Sequence, residues 1–332
     1  MRESLLGTAL AVLDLARLRR IHPRQPPWGQ MLVANLGMTW DYRLPRRTHI
    51  EVEGLENLPR DRRVFLAMNH TDRYNYWPLQ YVLYRRGHGF TATWVKGKYY
   101  ENDLLGWFMD QTTNIPLPSR GYVLTTEFRK AVGRPPHDDE YRAVRDLANG
   151  GTPASLPEAV AAFVAKHGEG GGFSAWFNGL FDTMSVEVMR ITREALENDY
   201  HVLVFPQGTR SKRLSRGHTG LVQAAQFLGV DIVPIGCNGC DRVYPGASPF
   251  AKGGRVVYRV GAPLRIDGPE LAPHRVREPF APLSDHASAA HEAKFRAATD
   301  IVMNAINGLL DEEYRFGAEQ ASDGVQGVRR FV

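Results

Sequence analysis

The chain has 332 residues, 43% hydrophobic and 10% aromatic, enough to build a core as one large α/β domain with additions or as two average domains. Its net charge of +5 is concentrated at the start, where Arg2, Arg17, Arg19, Arg20, Arg24, Arg43, Arg46 and Arg47 face only Glu3, Asp14 and Asp41. A basic, Trp-containing start on a balanced body argues against a nucleic-acid groove, which needs basic residues across the folded domain, and suits anionic lipid headgroups; a solvated basic arm is the plainer reading.

Residues 4–20, SLLGTALAVLDLARLRR, fall short of the roughly 18 uninterrupted apolar residues of a membrane span. They close on an arginine cluster, the reverse of a secretory signal. The pattern predicts either an interfacial helix with snorkelling arginines or a helix packed on its own domain, with PRQPPWGQ as a break after it. HIEVEGLENLP reads as a strand ending at Pro59, and RRVFLAM (62–68) as a short buried strand. YWPLQYVLYRR has helical spacing with Pro78 in its opening turns, FTATWV is a strand, DLLGWFM a short helix and NIPL a brief strand. Repeated strand and helix point to an α/β fold: a mixed, mostly parallel central sheet flanked by helices, with an N-terminal amphipathic helical segment.

Between about 122 and 182 the sequence turns rich in Gly and Ala, and we read a helical insertion there, with a Ser155/Glu158 capping box before AVAAFVAKHG and a loose GEGGG (168–172). Regularity returns with TMSVEVMRITREALENDY, whose Met184, Val188, Ile191 and Ala195 trace one helical face, then the buried strand HVLVF. GLVQAAQFLGV is a helix ending at Gly229, DIVPIG a strand, RVVYRVG an edge-like strand, and a helix over about 288–313 precedes a tail read as disordered. The expected division is a basic membrane-associating segment (1–47), an α/β domain (48–275) and a C-terminal helix and tail (276–332).

Cys237 and Cys240 exclude a disulfide framework and suggest a reducing compartment. Their CxxC follows a strand and runs into a turn rather than opening a helix as a redox pair does, and lacks two further ligands at zinc spacing, so structural cysteines and no metal are expected. No Gly-rich phosphate loop follows the first strand, which argues against a nucleotide-binding enzyme.

Three stretches carry complementary chemistry at strand ends. Asn69-His70 offers a base for a hydroxyl, provided a neighbour fixes the ring's tautomer. Arg120 in IPLPSRG (115–121) and Arg210 in FPQGTRS (205–211) offer planar forks for phosphate. Gly208 admits close approach of an anion to the backbone, and Thr209 and Ser211 add hydroxyls. In an open α/β sheet such loops can converge beyond the carboxyl ends of the strands. Trp77, Trp94 and Trp107 are candidates for an apolar channel, with core filling as the plainer reading of each.

NHTDRYN, IPLPSRG, FPQGTRS and DIVPIG, in that order, together with the entry strand VEGLENLP, resemble the four motifs of the glycerol-phosphate and lysophosphatidate acyltransferase family over roughly 48–120 and 183–264. The resemblance implies that His70 deprotonates the hydroxyl of a glycerol phosphate or lysophospholipid. That hydroxyl then attacks an acyl thioester of coenzyme A or acyl carrier protein, at the cytoplasmic face of a membrane and with no further cofactor. Arg120, Gln207, Gly208, Thr209, Arg210 and Ser211 would hold the acceptor's phosphate. Two positions depart from the family: its Asp five residues after the His is Asn75, and its Glu before Gly-Thr-Arg is Gln207. Three readings follow. Asn75 orients His70 in a slower or differently tuned enzyme; Asp72 takes over; or catalysis is lost and the fold binds lipid or acyl carrier.

Overall fold

The computed structural model describes residues 12–167, 172–317 and 320. The chain divides into two compact units. One, here the sheet unit, comprises His22–Trp94, Gln111–Ile115 and the chain from Met189 onward; the other, the helical unit, comprises the chain up to Ile21, Val95–Asp110 and Pro116–Val188.

The seven strands are β1 (Thr48–Glu53), β2 (Phe65–Met68), β3 (Thr91–Lys96), β4 (Asn114–Leu117), β5 (His201–Val204), β6 (Ile232–Asn238) and β7 (Gly254–Val260), in the order β1-β7-β6-β2-β5-β3-β4. Pairing is parallel for β1 with β7, β2 with β5 and β6, and β3 with β5, and antiparallel for β6 with β7. The sheet is therefore mixed and mostly parallel, as expected. Every residue of β2, β5 and β6 is buried, which is why these strands read as continuous apolar runs rather than alternating ones.

One strand expectation is corrected. β7 is internal, lying between β1 and β6. RVVYRVG was expected to be edge-like, but Arg255 and Arg259 reach Glu51 and Glu53 of β1, so the charges answer the neighbouring strand rather than open solvent.

The helices in chain order are α1 (Leu15–Arg20), α2 (Trp28–Leu32), α3 (Thr39–Asp41), α4 (Trp77–Arg85), α5 (Asp103–Gln111), α6 (Arg120–Val132), α7 (Asp138–Ala148), α8 (Glu158–His167), α9 (Phe173–Glu197), α10 (Gly220–Leu228), α11 (Cys240–Val243), α12 (Asp285–Ala290) and α13 (Glu292–Gly308). A π-helical stretch, Val33–Met38, joins α2 to α3 without a break. The face traced by Met184, Val188, Ile191 and Ala195 is buried, but α9 begins at Phe173, nearly three helical turns before 183. The capping box expected at Ser155 is not formed: the Pro157 carbonyl accepts the Ala161 N–H, so Glu158 opens α8 instead of standing at its third position. A capping box is found at His137 and Glu140 of α7, where the Arg134 fork pulls the Glu140 carboxyl down to about 2.

Of the predicted 4–20 helix, residues 4–11 lie outside the described residues. The described part packs within its own unit: Leu13 and Leu18 are fully buried and the Leu13 N–H donates to the Tyr122 hydroxyl. Most of the predicted loose loop at 168–172 and of the C-terminal tail also falls outside the described residues.

Candidate active site

β2 is the central strand of the β6-β2-β5 trio, so the residues after Met68 emerge at the carboxyl end of the sheet with a parallel neighbour on either side. Asn69 fastens this end to β6. Its amide nitrogen donates to the Cys237 carbonyl at 2.9 Å and its oxygen accepts the Cys237 N–H at 2.7 Å. The side chain thus continues the backbone ladder one residue beyond the strand, and the Asn of the motif has a structural reason.

His70 is held by the loop after β5 at three points. Its N–H donates to Gln207 Oε1 at 2.9 Å, its carbonyl accepts the Ser211 N–H at 2.9 Å, and its ring stacks on Phe205 with centroids 4.0 Å apart. The ring's Nδ1 lies 3.2 Å from Asn75 Oδ1. Asn75 is fully buried, and its amide nitrogen donates to the Asn69 carbonyl at 2.8 Å. That bond decides which way the amide points, so Oδ1 faces the ring, Nδ1 carries the proton, and the lone pair is left on Nε2. The Asn75 carbonyl in turn accepts the buried Tyr258 hydroxyl at 2.6 Å.

Asp72 is directed elsewhere. Its carboxylate accepts the Thr71 hydroxyl at 2.9 Å and the Tyr74 N–H at 2.8 Å. Burial lifts it to about 6 against the pull of those two donors. It also meets Cys240, whose own thiol is pushed up by burial. Cys237 and Cys240 are both buried and reduced, Cys237 within β6 and Cys240 opening the one-turn helix α11. Among the described residues no cluster of His, Cys, Asp or Glu could hold a metal ion.

The 205–211 loop contributes in unequal ways. Gln207, expected to meet phosphate, is 2% exposed, and its amide nitrogen donates to Ser215 Oγ at 3.2 Å while its oxygen holds His70. It acts within the protein as a brace. Ser211 is equally buried, whereas Thr209 is exposed and Arg210 half-buried. The Arg210 guanidinium makes no hydrogen bond or ion pair among the described residues. Gly208 adopts φ +65°, and a Cβ there would stand 2.8 Å from the His218 ring. The glycine is therefore needed twice, for its left-handed backbone and for the imidazole packed over it.

Arg120 lies in the helical unit as the first residue of α6, after the Ser119 cap. Its guanidinium donates to Asn178 Oδ1 at 2.9 Å and sits over the rings of Phe177 and Phe181 at 4.8 and 5.5 Å. So the structure gathers His70, Asn75 and the 205–211 loop within the sheet unit, while Arg120 is engaged in its own unit. Trp94 is a core residue whose indole N–H donates to Thr192, Trp77 is half-buried against Tyr74, and Trp107 is exposed. Phe205 and His218, which sequence reading passed over, belong to this site. Phe205 opens the FPQGTRS motif, but only the fold turns its ring onto His70.

Residues 49–131 and 181–238 match the family model described as Acyltransferase. No curated protein matches the chain. Among solved structures, one similar chain is the 1-acyl-sn-glycerophosphate (LPA) acyltransferase PlsC from Thermotoga maritima, at 16% identity and a TM-score of 0.39, over 86% of each chain.

Proposed function

We propose that the chain, which matches the acyltransferase family model over residues 49–131 and 181–238, moves a fatty acyl group from an acyl thioester to the hydroxyl of a glycerol phosphate or lysophospholipid. The observation that carries this reading is the pose of His70. Its backbone is pinned at both N–H and C=O by the 205–211 loop, and its tautomer is set by Asn75.

With Nδ1 protonated, Nε2 accepts the proton of the acceptor hydroxyl. The oxygen attacks the thioester carbonyl, a C–O bond forms, the C–S bond breaks, and the imidazolium proton passes to the leaving thiolate. Asn75 orients the imidazolium as a neutral dipole rather than as a charge. Arg210, with Thr209 and the Gly208 backbone, holds the acceptor's phosphate, and His218 borders that anion cradle. Coenzyme A and acyl carrier protein are both candidate thiols.

The test follows thiol release from acyl-coenzyme A with lysophosphatidate present. His70→Ala is expected to abolish turnover while leaving acceptor binding nearly intact, and Arg210→Ala chiefly to raise KM for the acceptor. A second reading, a weakened or inactive homologue that binds lipid or acyl carrier, is favoured by the absence of charge on Asn75. The absence of thiol release with every donor and acceptor tried, beside intact lipid binding, would establish that second reading in place of the first.

A further inference from the structure

Four residues close a circuit behind the His70 ring. The Asn69 side chain is clamped to the Cys237 backbone, Cys237 stands opposite Tyr258 where β6 pairs with β7, the Tyr258 hydroxyl donates to the Asn75 carbonyl at 2.6 Å, and the Asn75 amide returns to the Asn69 carbonyl at 2.8 Å. All four residues are buried. Tyr258 lies beyond residue 238, where the family match ends.

The Asn75 carbonyl needs this donor. It stands in the turn before α4, where the Trp77 N–H goes to the Tyr74 carbonyl, the Gln80 N–H goes to the Tyr76 carbonyl, and Pro78 has no N–H to give. The turn passes over the Asn75 carbonyl, and β7 supplies a donor from 183 residues away. The consequence reaches the base. A carboxylate presents acceptors on both oxygens, whereas an amide presents an acceptor at one end and a donor at the other. Rotated by half a turn, the Asn75 amide would set its NH2 against Nδ1 and favour the ring with its proton on Nε2, which cannot take a proton from an alcohol. The Asn69 carbonyl selects the productive orientation only while the Asn75 backbone keeps its place, and the Tyr258 hydroxyl fixes that place.

We propose that Tyr258 is a positioning residue: acting through Asn75, its hydroxyl holds His70 in the Nδ1–H tautomer and so keeps Nε2 as the base. The tie matters in this chain because Asn75 carries no charge with which to select the tautomer by itself. Its part in turnover rests on the acyl-transfer reading, but its hold on the tautomer does not.

The experiment follows the His70 ring by nitrogen NMR at a pH where it is neutral, beside thiol release from acyl-coenzyme A, in wild type, Tyr258→Phe, Asn75→Ala and the double variant. The His70 signals are those missing from His70→Ala. The wild-type ring is expected in the Nδ1–H form, and a wild-type ring with its proton on Nε2 would overturn the proposal without any variant at position 258. Tyr258→Phe keeps the buried ring and withdraws one neutral hydrogen bond. It should move the tautomer balance toward Nε2–H and lower kcat by about 2- to 13-fold, with KM for the acceptor near wild type. In the Asn75→Ala background the same substitution should lower kcat no further, because the group it acts through is gone. A tyrosine that only supports the fold would lower kcat by the same factor in both backgrounds and leave the tautomer balance of Tyr258→Phe as in wild type; either result would overturn the proposal. Wild-type protein that releases no thiol would count against the acyl-transfer reading alone, and the tautomer shift in Tyr258→Phe then decides the role of Tyr258.

Discussion

Asn75→Ala tests the electrostatic character of the site. The substitution removes the Oδ1 that lies 3.2 Å from His70 Nδ1 and the amide donor that lies 2.8 Å from the Asn69 carbonyl. For the ring, the loss is one neutral hydrogen bond, worth about 0.5–1.5 kcal/mol net, or about 2- to 13-fold in the population of the competent tautomer and orientation. That is far from the roughly 10⁴-fold lost when a charged orienting carboxylate becomes an amide in a serine-protease triad. For the fold, a carbonyl left unpaired beside a fully buried position costs about 1–3 kcal/mol. The assay is thiol release under acceptor saturation for kcat, with urea denaturation for stability. We expect kcat to fall by about tenfold or less while KM stays near wild type and the urea midpoint drops. A thousandfold loss of kcat in a folded variant would refute the reasoning, because no neutral hydrogen bond supplies that much. An unchanged urea midpoint would refute the assignment of the amide's orientation through Asn69.

Two further outcomes follow from named contacts. Gly208→Ala forces a side chain into a backbone at φ +65° and against the His218 ring at 2.8 Å; with left-handed strain of about 1–2 kcal/mol, it should lower the urea midpoint and raise KM for the phosphorylated acceptor, and a variant unchanged in both would exclude the loop as an anion cradle. His201, fully buried with Nδ1 accepting the Val64 N–H, is lowered to about 3 by desolvation first and by nearby Arg63 second. Its folded pKa lies below the unfolded value, so the unfolded state binds more protons between about 3 and about 6.5 and stability falls as pH drops through that window. At pH 5.5 the loss is about 1 kcal/mol relative to neutral pH. Asp72, raised to about 6 by burial, shifts stability in the opposite sense on acidification. The check is therefore the difference in urea midpoint between wild type and His201→Gln across pH 5–7, the range in which an unperturbed imidazole changes charge; a difference independent of pH would show that His201 is not held neutral.

The sequence by itself determined the local features. Runs such as FLAM and HVLV had to be buried strands, because continuous apolar residues bounded by turns have no solvent-facing side. Their strand and helix alternation implied the mixed sheet, His70 fell at a strand end, and Gly208 in the turn after a buried strand marked a left-handed position. Tertiary structure decided what depends on partners far away in the chain. Gln207 is a brace because its amide meets a backbone N–H 137 residues distant, and β7 is internal because Glu51 and Glu53, some two hundred residues earlier, answer its arginines. Asn75 rather than Asp72 holds the ring because Asn69, itself clamped to β6, fixes the amide, while Thr71 and Tyr74 draw the carboxylate away.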